Sequence, residues 1–219
     1  MNFVQPIVSR SPSAVSRMVF SSKAWTAVAL AATAAICQAQ SQPVTSQESA
    51  MIGTVTTSTF QVTHESVLLP VNFDVFTRNF KYLLGRYDPD DFALAAVHPK
   101  HGMQRLQASQ GEQGLMLFQG TNNHGALFAT IGQSRKAMRY YVGNPLIALQ
   151  MTRHNISAAL YAPLSILVYQ VDENSTRVEY IRPSTLFGQF KIPEIDKVGK
   201  TLDGKLSTLL TKAATLKPE

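Results

Sequence analysis

Five histidines, His64, His98, His101, His124 and His154, are the side chains of this chain best suited to chemistry near neutral pH. A neutral imidazole binds transition metals, and the same ring can move a proton. His98 and His101 have two residues between them, a spacing that can converge in a loop, and His124 completes a set if the chain brings its loop alongside. His98, His101 and His124 are therefore the candidate metal ligands, and each is a candidate acid/base group. Against a metal stand Pro99 and Lys100 between the first pair, because the lysine's charge opposes a cation. Solvent-facing loop histidines are the favoured reading. A second candidate set, for a ligand, is His124, Asn144 and Tyr161. Gly143-Asn144-Pro145 can offer backbone N–H groups to an anion where a helix starts, although Pro145 suits the first turn of a helix and accounts for the tripeptide structurally. Tyr140, Tyr141, Tyr161, Tyr169 and Tyr180 join an apolar wall to a polar tip; they can line a pocket, but sheet and core packing is the preferred account of several.

Other chemistries lack their signatures. Nucleophilic catalysis needs a Ser, Thr or Cys beside an oriented base, and no Gly-x-Ser-x-Gly elbow occurs. Ser184, after Pro183, reads as a turn cap. Asp88, Asp90 and Asp91 form a solvated turn without the repeated ligands of a calcium loop. Met103, Met116, Met138 and Met151 are dispersed packing residues, and no haem motif or phosphate-cradling glycine loop accompanies them. No catalytic residue and no cofactor is assigned.

The start of the chain carries an address. Arg10, Arg17 and Lys23 precede an apolar or small-residue run from Ala24 to Ile36, with no acidic residue before it. The run suits a secretory signal and is shorter than the roughly 20 residues of a membrane-spanning helix. Cys37-Gln38-Ala39 offers small residues for a cut after Ala39. Residues 1–39 are thus expected to be a signal peptide, making the protein exported, periplasmic or secreted, with no stable membrane anchor after cleavage. Met18 is an alternative start that gives a more compact signal. Lipidation of Cys37 is disfavoured because Ile36 stands where a small residue is needed.

Cleavage would remove three of the 20 basic residues and none of the 14 acidic ones, leaving a formal charge of +3. That mild balance argues against nucleic acid as a partner, which calls for a clustered basic footprint. Cys37 is the sole cysteine, so the mature chain has no disulfide, thiolate or Cys-ligated metal. The triplets Asn155-Ile156-Ser157 and Asn174-Ser175-Thr176 matter only in a glycosylating pathway.

These residues need elements to position them. Residues 40–53, rich in Gln and Ser, read as a flexible tether, and residues 54–219 as one α+β domain. Val55 to Val67 alternates like a long half-buried strand, and Phe73, Phe76, Phe80, Leu83 and Leu84 recur at helical spacing. Phe92 to Val97 is apolar but ambiguous. His98 to Gly102 reads as a loop and Gln104 to Gln113 as a surface excursion. Leu115 to Phe118, Ala126 to Ile131 and Ala137 to Val142 read as strands. Pro145 opens helical structure that extends toward Tyr161. Leu164 to Val171 and Thr176 to Ile181 form a hairpin about Asp172-Glu173-Asn174-Ser175. Ile195, Val198, Leu202, Leu206, Leu209 and Leu210 make the apolar stripe of a C-terminal helix, despite the propensity cost of Gly199 and Gly204.

Gly143-Asn144-Pro145, Tyr161-Ala162-Pro163-Leu164, Ile166-Leu167-Val168-Tyr169, Val178-Glu179-Tyr180 and Arg182-Pro183-Ser184 together resemble the bacterial "domain of unknown function 302" family. The likeness is strongest from Tyr140 to Phe190 and looser from Thr54. It implies a TATA-binding-protein-like α+β fold, with an antiparallel sheet and helices packed on one face. It carries over no activity and no catalytic residue. A fold does not specify a function, and the expectation formed here is noncovalent binding of a small molecule or a protein partner. The alternatives are a histidine acid/base enzyme and a histidine metal or haem site.

Overall fold

The computed structural model describes residues 53–217, so the signal expected at 1–39 and the tether, apart from Gly53, lie outside the described residues. In chain order the elements are β1 (His64–Leu69), α1 (Phe73–Leu83), β2 (Gly85–Arg86), α2 (Pro89–Val97), α3 (Pro99–Ala108), β3 (Met116–Leu117) and β4 (Asn122–Asn123). A 3-10 segment, Gly125–Ile131, leads to β5 (Ala137–Gly143) and α4 (Pro145–Thr152). A second 3-10 segment, Ile156–Tyr161, precedes β6 (Leu164–Asp172), β7 (Ser175–Ile181), α5 (Pro183–Gly188) and α6 (Pro193–Thr215).

The fold is α+β. Its seven-stranded open sheet has the order β1-β7-β6-β5-β3-β2, with β4 also paired to β5. Neighbouring strands are antiparallel except for the short parallel pair β2 and β3. The β6–β7 hairpin follows from its turn: the Asp172 carboxylate accepts from the Asn174 N–H at 2.9 Å and from the Ser175 hydroxyl at 2.6 Å.

Side chains alternate across a strand, and one face of the sheet is sealed. Tyr140 and Val142 of β5, Ile166 and Val168 of β6 and Val178 of β7 are buried there. The buried stripes of α1 (Phe76, Phe80) and α6 (Ile195, Leu202, Leu206, Leu209) join them in one core. Burying each such Leu or Phe contributes about 1.5–3 kcal/mol, and Phe76 and Phe80 also stack at 5.6 Å. Asn72 starts α1 by accepting from the Asp74 N–H at 2.9 Å.

Several expectations are corrected. Val55 to Val67 is not one strand: pairing begins at His64, opposite Ile181, and Val55, Phe60 and Val62 are exposed. The ladder stops because Pro183, which lacks an N–H, turns the partner strand into α5. Residues from Pro99 to Ala108 are helix α3, not loop and excursion. Pro99 opens a helix instead of breaking one, and Gly102 sits so close to Ala95 of α2 that a β-carbon there would overlap the Ala95 backbone. Ala126 to Ile131 is a 3-10 segment, not a strand, with Leu127 and Ile131 exposed; a short apolar run does not fix its own conformation. At Ser184 it is the backbone N–H, not the hydroxyl, that bonds, to Asp203 Oδ1 at 2.9 Å. Among the described residues no helix is long and apolar enough to cross a membrane.

Candidate ligand-binding site

The other face of the sheet carries the alternate residues. Register places Ser66 of β1 beside Glu179 of β7, Glu179 beside Leu167 of β6, and Leu167 beside Arg139 of β5. One step along the sheet, Leu68, Arg177, Tyr169 and Ala137 form a second such row. This face holds a cleft of about 930 Å³, floored by Leu167, Tyr169 and Ile181 and rimmed by His124 and Phe128 at the first 3-10 segment.

Glu179 is its polar hub. Tyr169 donates its hydroxyl to Glu179 Oε1 at 2.7 Å, Ser66 donates to the same oxygen at 3.3 Å, and His64 Nε2 lies 3.3 Å from Oε2. The Tyr169 hydroxyl holds the Glu179 carboxyl below the usual carboxylate range against partial burial, with the His64 ring adding to the lowering. The same hydrogen bond, helped by burial, pushes the Tyr169 phenol upward. Arg177 Nη1 donates to Ser66 Oγ at 3.2 Å. Across the floor, Arg139 donates from Nε to Ser165 Oγ at 2.6 Å and lies over the Tyr141 ring, 4.9 Å from its centroid. Arg135 stands 5.9 Å from the Phe128 centroid, and Lys136 is paired with Asp74 at 2.6 Å.

This arrangement suits noncovalent recognition: an apolar floor large enough for a small molecule and a few oriented polar groups. A polar recess of about 620 Å³ lies between α4 and α6, lined by Gln150, Arg153, His154, Glu194 and Lys197 among others.

The structure places the expected residues in separate surroundings. His124 lines the open-face cleft. Asn144 lines the α4–α6 recess but is occupied structurally: it accepts from the Leu146 N–H at 2.8 Å and donates to the Gly114 carbonyl at 2.7 Å. Tyr161 donates to Gln189 Oε1 at 3.2 Å and meets Phe60 and Phe190 edge-on, a packing role. His98 joins α2 to α3, and His101 lies within α3. Among the described residues no three His, Cys, Asp or Glu side chains gather as a metal site, so His98, His101 and His124 are not brought together. The hairpin gave one signal for the missed residues, since Ser165, Leu167 and Tyr169 alternate with the core positions of β6, as Arg177 and Glu179 do on β7. The contribution of β1 had no local signal: Ser66 and Glu179 are 113 residues apart.

A family model described as "Domain of unknown function DUF302" matches residues 93–213. The crystal structure of an uncharacterized conserved protein DUF302 from Bacillus stearothermophilus is similar at 15% sequence identity and a TM-score of 0.47, covering 68% of this chain and 97% of that chain. No curated protein matches the chain.

Proposed function

The chain belongs to the DUF302 family, and on that premise we propose that it is an exported protein that binds a small molecule noncovalently on the open face of its sheet. The observation that carries this reading is the cleft of about 930 Å³ in which Leu167 and Ile181 offer apolar surface beside Glu179 and Arg139. A sheet face left uncovered by helices needs another reason to hold a fixed polar network, and ligand recognition supplies one. Export rests on Lys23, the apolar run after it and the small-residue exit at Ala39. Native mass spectrometry of protein purified from its exporting host tests both halves. The expected result is a chain beginning at Gln40 with a retained small-molecule mass that is lost on denaturation.

A second reading, a histidine acid/base enzyme, is favoured by one observation: His64 and His124 line the same cleft as the Tyr169 hydroxyl. It differs from the sequence expectation in drawing on His64 in place of His98 or His101. Binding is preferred because the hydroxyls of Tyr169 and Ser66 and one edge of His64 already converge on Glu179.

A further inference from the structure

We propose that the ligand of the open-face cleft is an amphipathic organic anion, its acidic group met by Arg139 or Arg177, which stand on opposite sides of the floor, and its apolar body lying on Leu167, Ile181 and Phe128. The proposal rests on the reading of this cleft as a small-molecule site and adds the ligand's class.

The charges decide it. Glu179 is the carboxylate of the cleft lining, and its oxygens are engaged by Tyr169, Ser66 and His64. Lys136 is neutralised by Asp74. Arg139 and Arg177 have no ion-pair partner among the described residues, and Arg135 lines the same cleft. The cleft therefore presents more uncompensated positive than negative charge.

The arginines are also held in place. Arg139 is fixed through Nε by Ser165 and through its plane by Tyr141, and Arg177 through one terminal nitrogen by Ser66. Among the described residues the terminal nitrogens of Arg139 have no hydrogen-bond partner, nor does the second terminal nitrogen of Arg177. A guanidinium oriented in this way presents a planar set of donors to a carboxylate or sulfonate. The anchors of Arg139 are a neutral hydroxyl and a ring face, so its charge stays uncancelled, while Arg177 shares its Ser66 anchor with Glu179 Oε1. An uncharged apolar ligand would leave both guanidinium groups unused, and a cation would be repelled.

Two probes sharing a ring system separate this claim from the one beneath it: N-phenylnaphthylamine, which is neutral, and anilinonaphthalene sulfonate, which is anionic. Each is titrated by fluorescence into the protein purified from its host and into an Arg139→Gln, Arg177→Gln double variant. The expected result is saturable binding of both probes, with the sulfonate about tenfold tighter, the scale of one charge-assisted hydrogen bond. Its advantage should shrink in the double variant and with added salt. Equal affinities, or a sulfonate preference unchanged in the double variant, would overturn the anion assignment while neutral-probe binding left the site reading intact. Failure of both probes to bind would overturn both. If circular dichroism shows the double variant unfolded, the single Arg177→Gln variant and the salt dependence of the wild type replace it: a sulfonate preference that falls in both supports the assignment, and one that changes in neither overturns it.

Discussion

The Tyr169 hydroxyl donates to Glu179 Oε1 at 2.7 Å across the β6–β7 hairpin, although neither residue is the other's direct cross-strand partner. The bond runs diagonally on the open face, where it fixes the one carboxylate among the residues lining the cleft. Tyr169→Phe removes the largest cause of the lowered Glu179 pKa and should raise it toward the ordinary 4.5. Carboxyl-carbon NMR titration of wild type and variant measures that rise.

The same pair makes stability depend on pH at both ends. A folded carboxyl lower than its unfolded value contributes stability above the ordinary 4.5 and loses it as pH falls through the folded value. A phenol raised above 10.0 contributes below 10.0 and loses it as pH rises through the folded value. Urea denaturation should show Tyr169→Phe less stable by about 1 kcal/mol at neutral pH. The difference should narrow toward both extremes.

Two helical glycines should respond in opposite directions. Gly204 in α6 has nothing within 4 Å of the position a β-carbon would take, so Gly204→Ala should stabilise by about 0.5–1 kcal/mol through helix propensity alone. Gly102→Ala would drive its methyl into the Ala95 backbone and should destabilise by about 1–3 kcal/mol. Urea midpoints of the two variants against wild type measure both.

Asn79 is a buried polar tie between the first helix and the end of the last. Its amide donates to the carbonyls of Ala213 at 3.0 Å and Leu216 at 2.8 Å, satisfying acceptors that a helix end otherwise leaves open. Asn79→Leu should cost about 1–3 kcal/mol, read by urea denaturation. Hydrogen exchange should show the last turn of α6 opening first.

The fold was legible wherever periodicity was long. The helical spacing from Phe73 to Leu83, the hairpin about Asp172 and the stripe from Ile195 to Leu210 all reappear as elements. Prolines misled in the middle, because Pro99 reads as a loop residue until a neighbouring helix makes it a first-turn residue. The propensity cost of Gly199 is only half of its effect: a β-carbon there would lie 3.1 Å from the Ser184 Cα, so the glycine lets α5 approach α6. The site was less visible than the fold. His124 was named from its loop and lines the open-face cleft, but the Glu179 hub needs β1 to pair with β7 across the whole domain, and no local pattern reports that pairing.

The central claim, that the open face of the sheet binds a small molecule, is tested most directly by following backbone amide resonances during titration with N-phenylnaphthylamine. Saturable shifts centred on Arg139, Leu167, Glu179 and Ile181 are the predicted result. Shifts confined to the recess around Arg153 and Lys197, or no saturable shift anywhere, would contradict it.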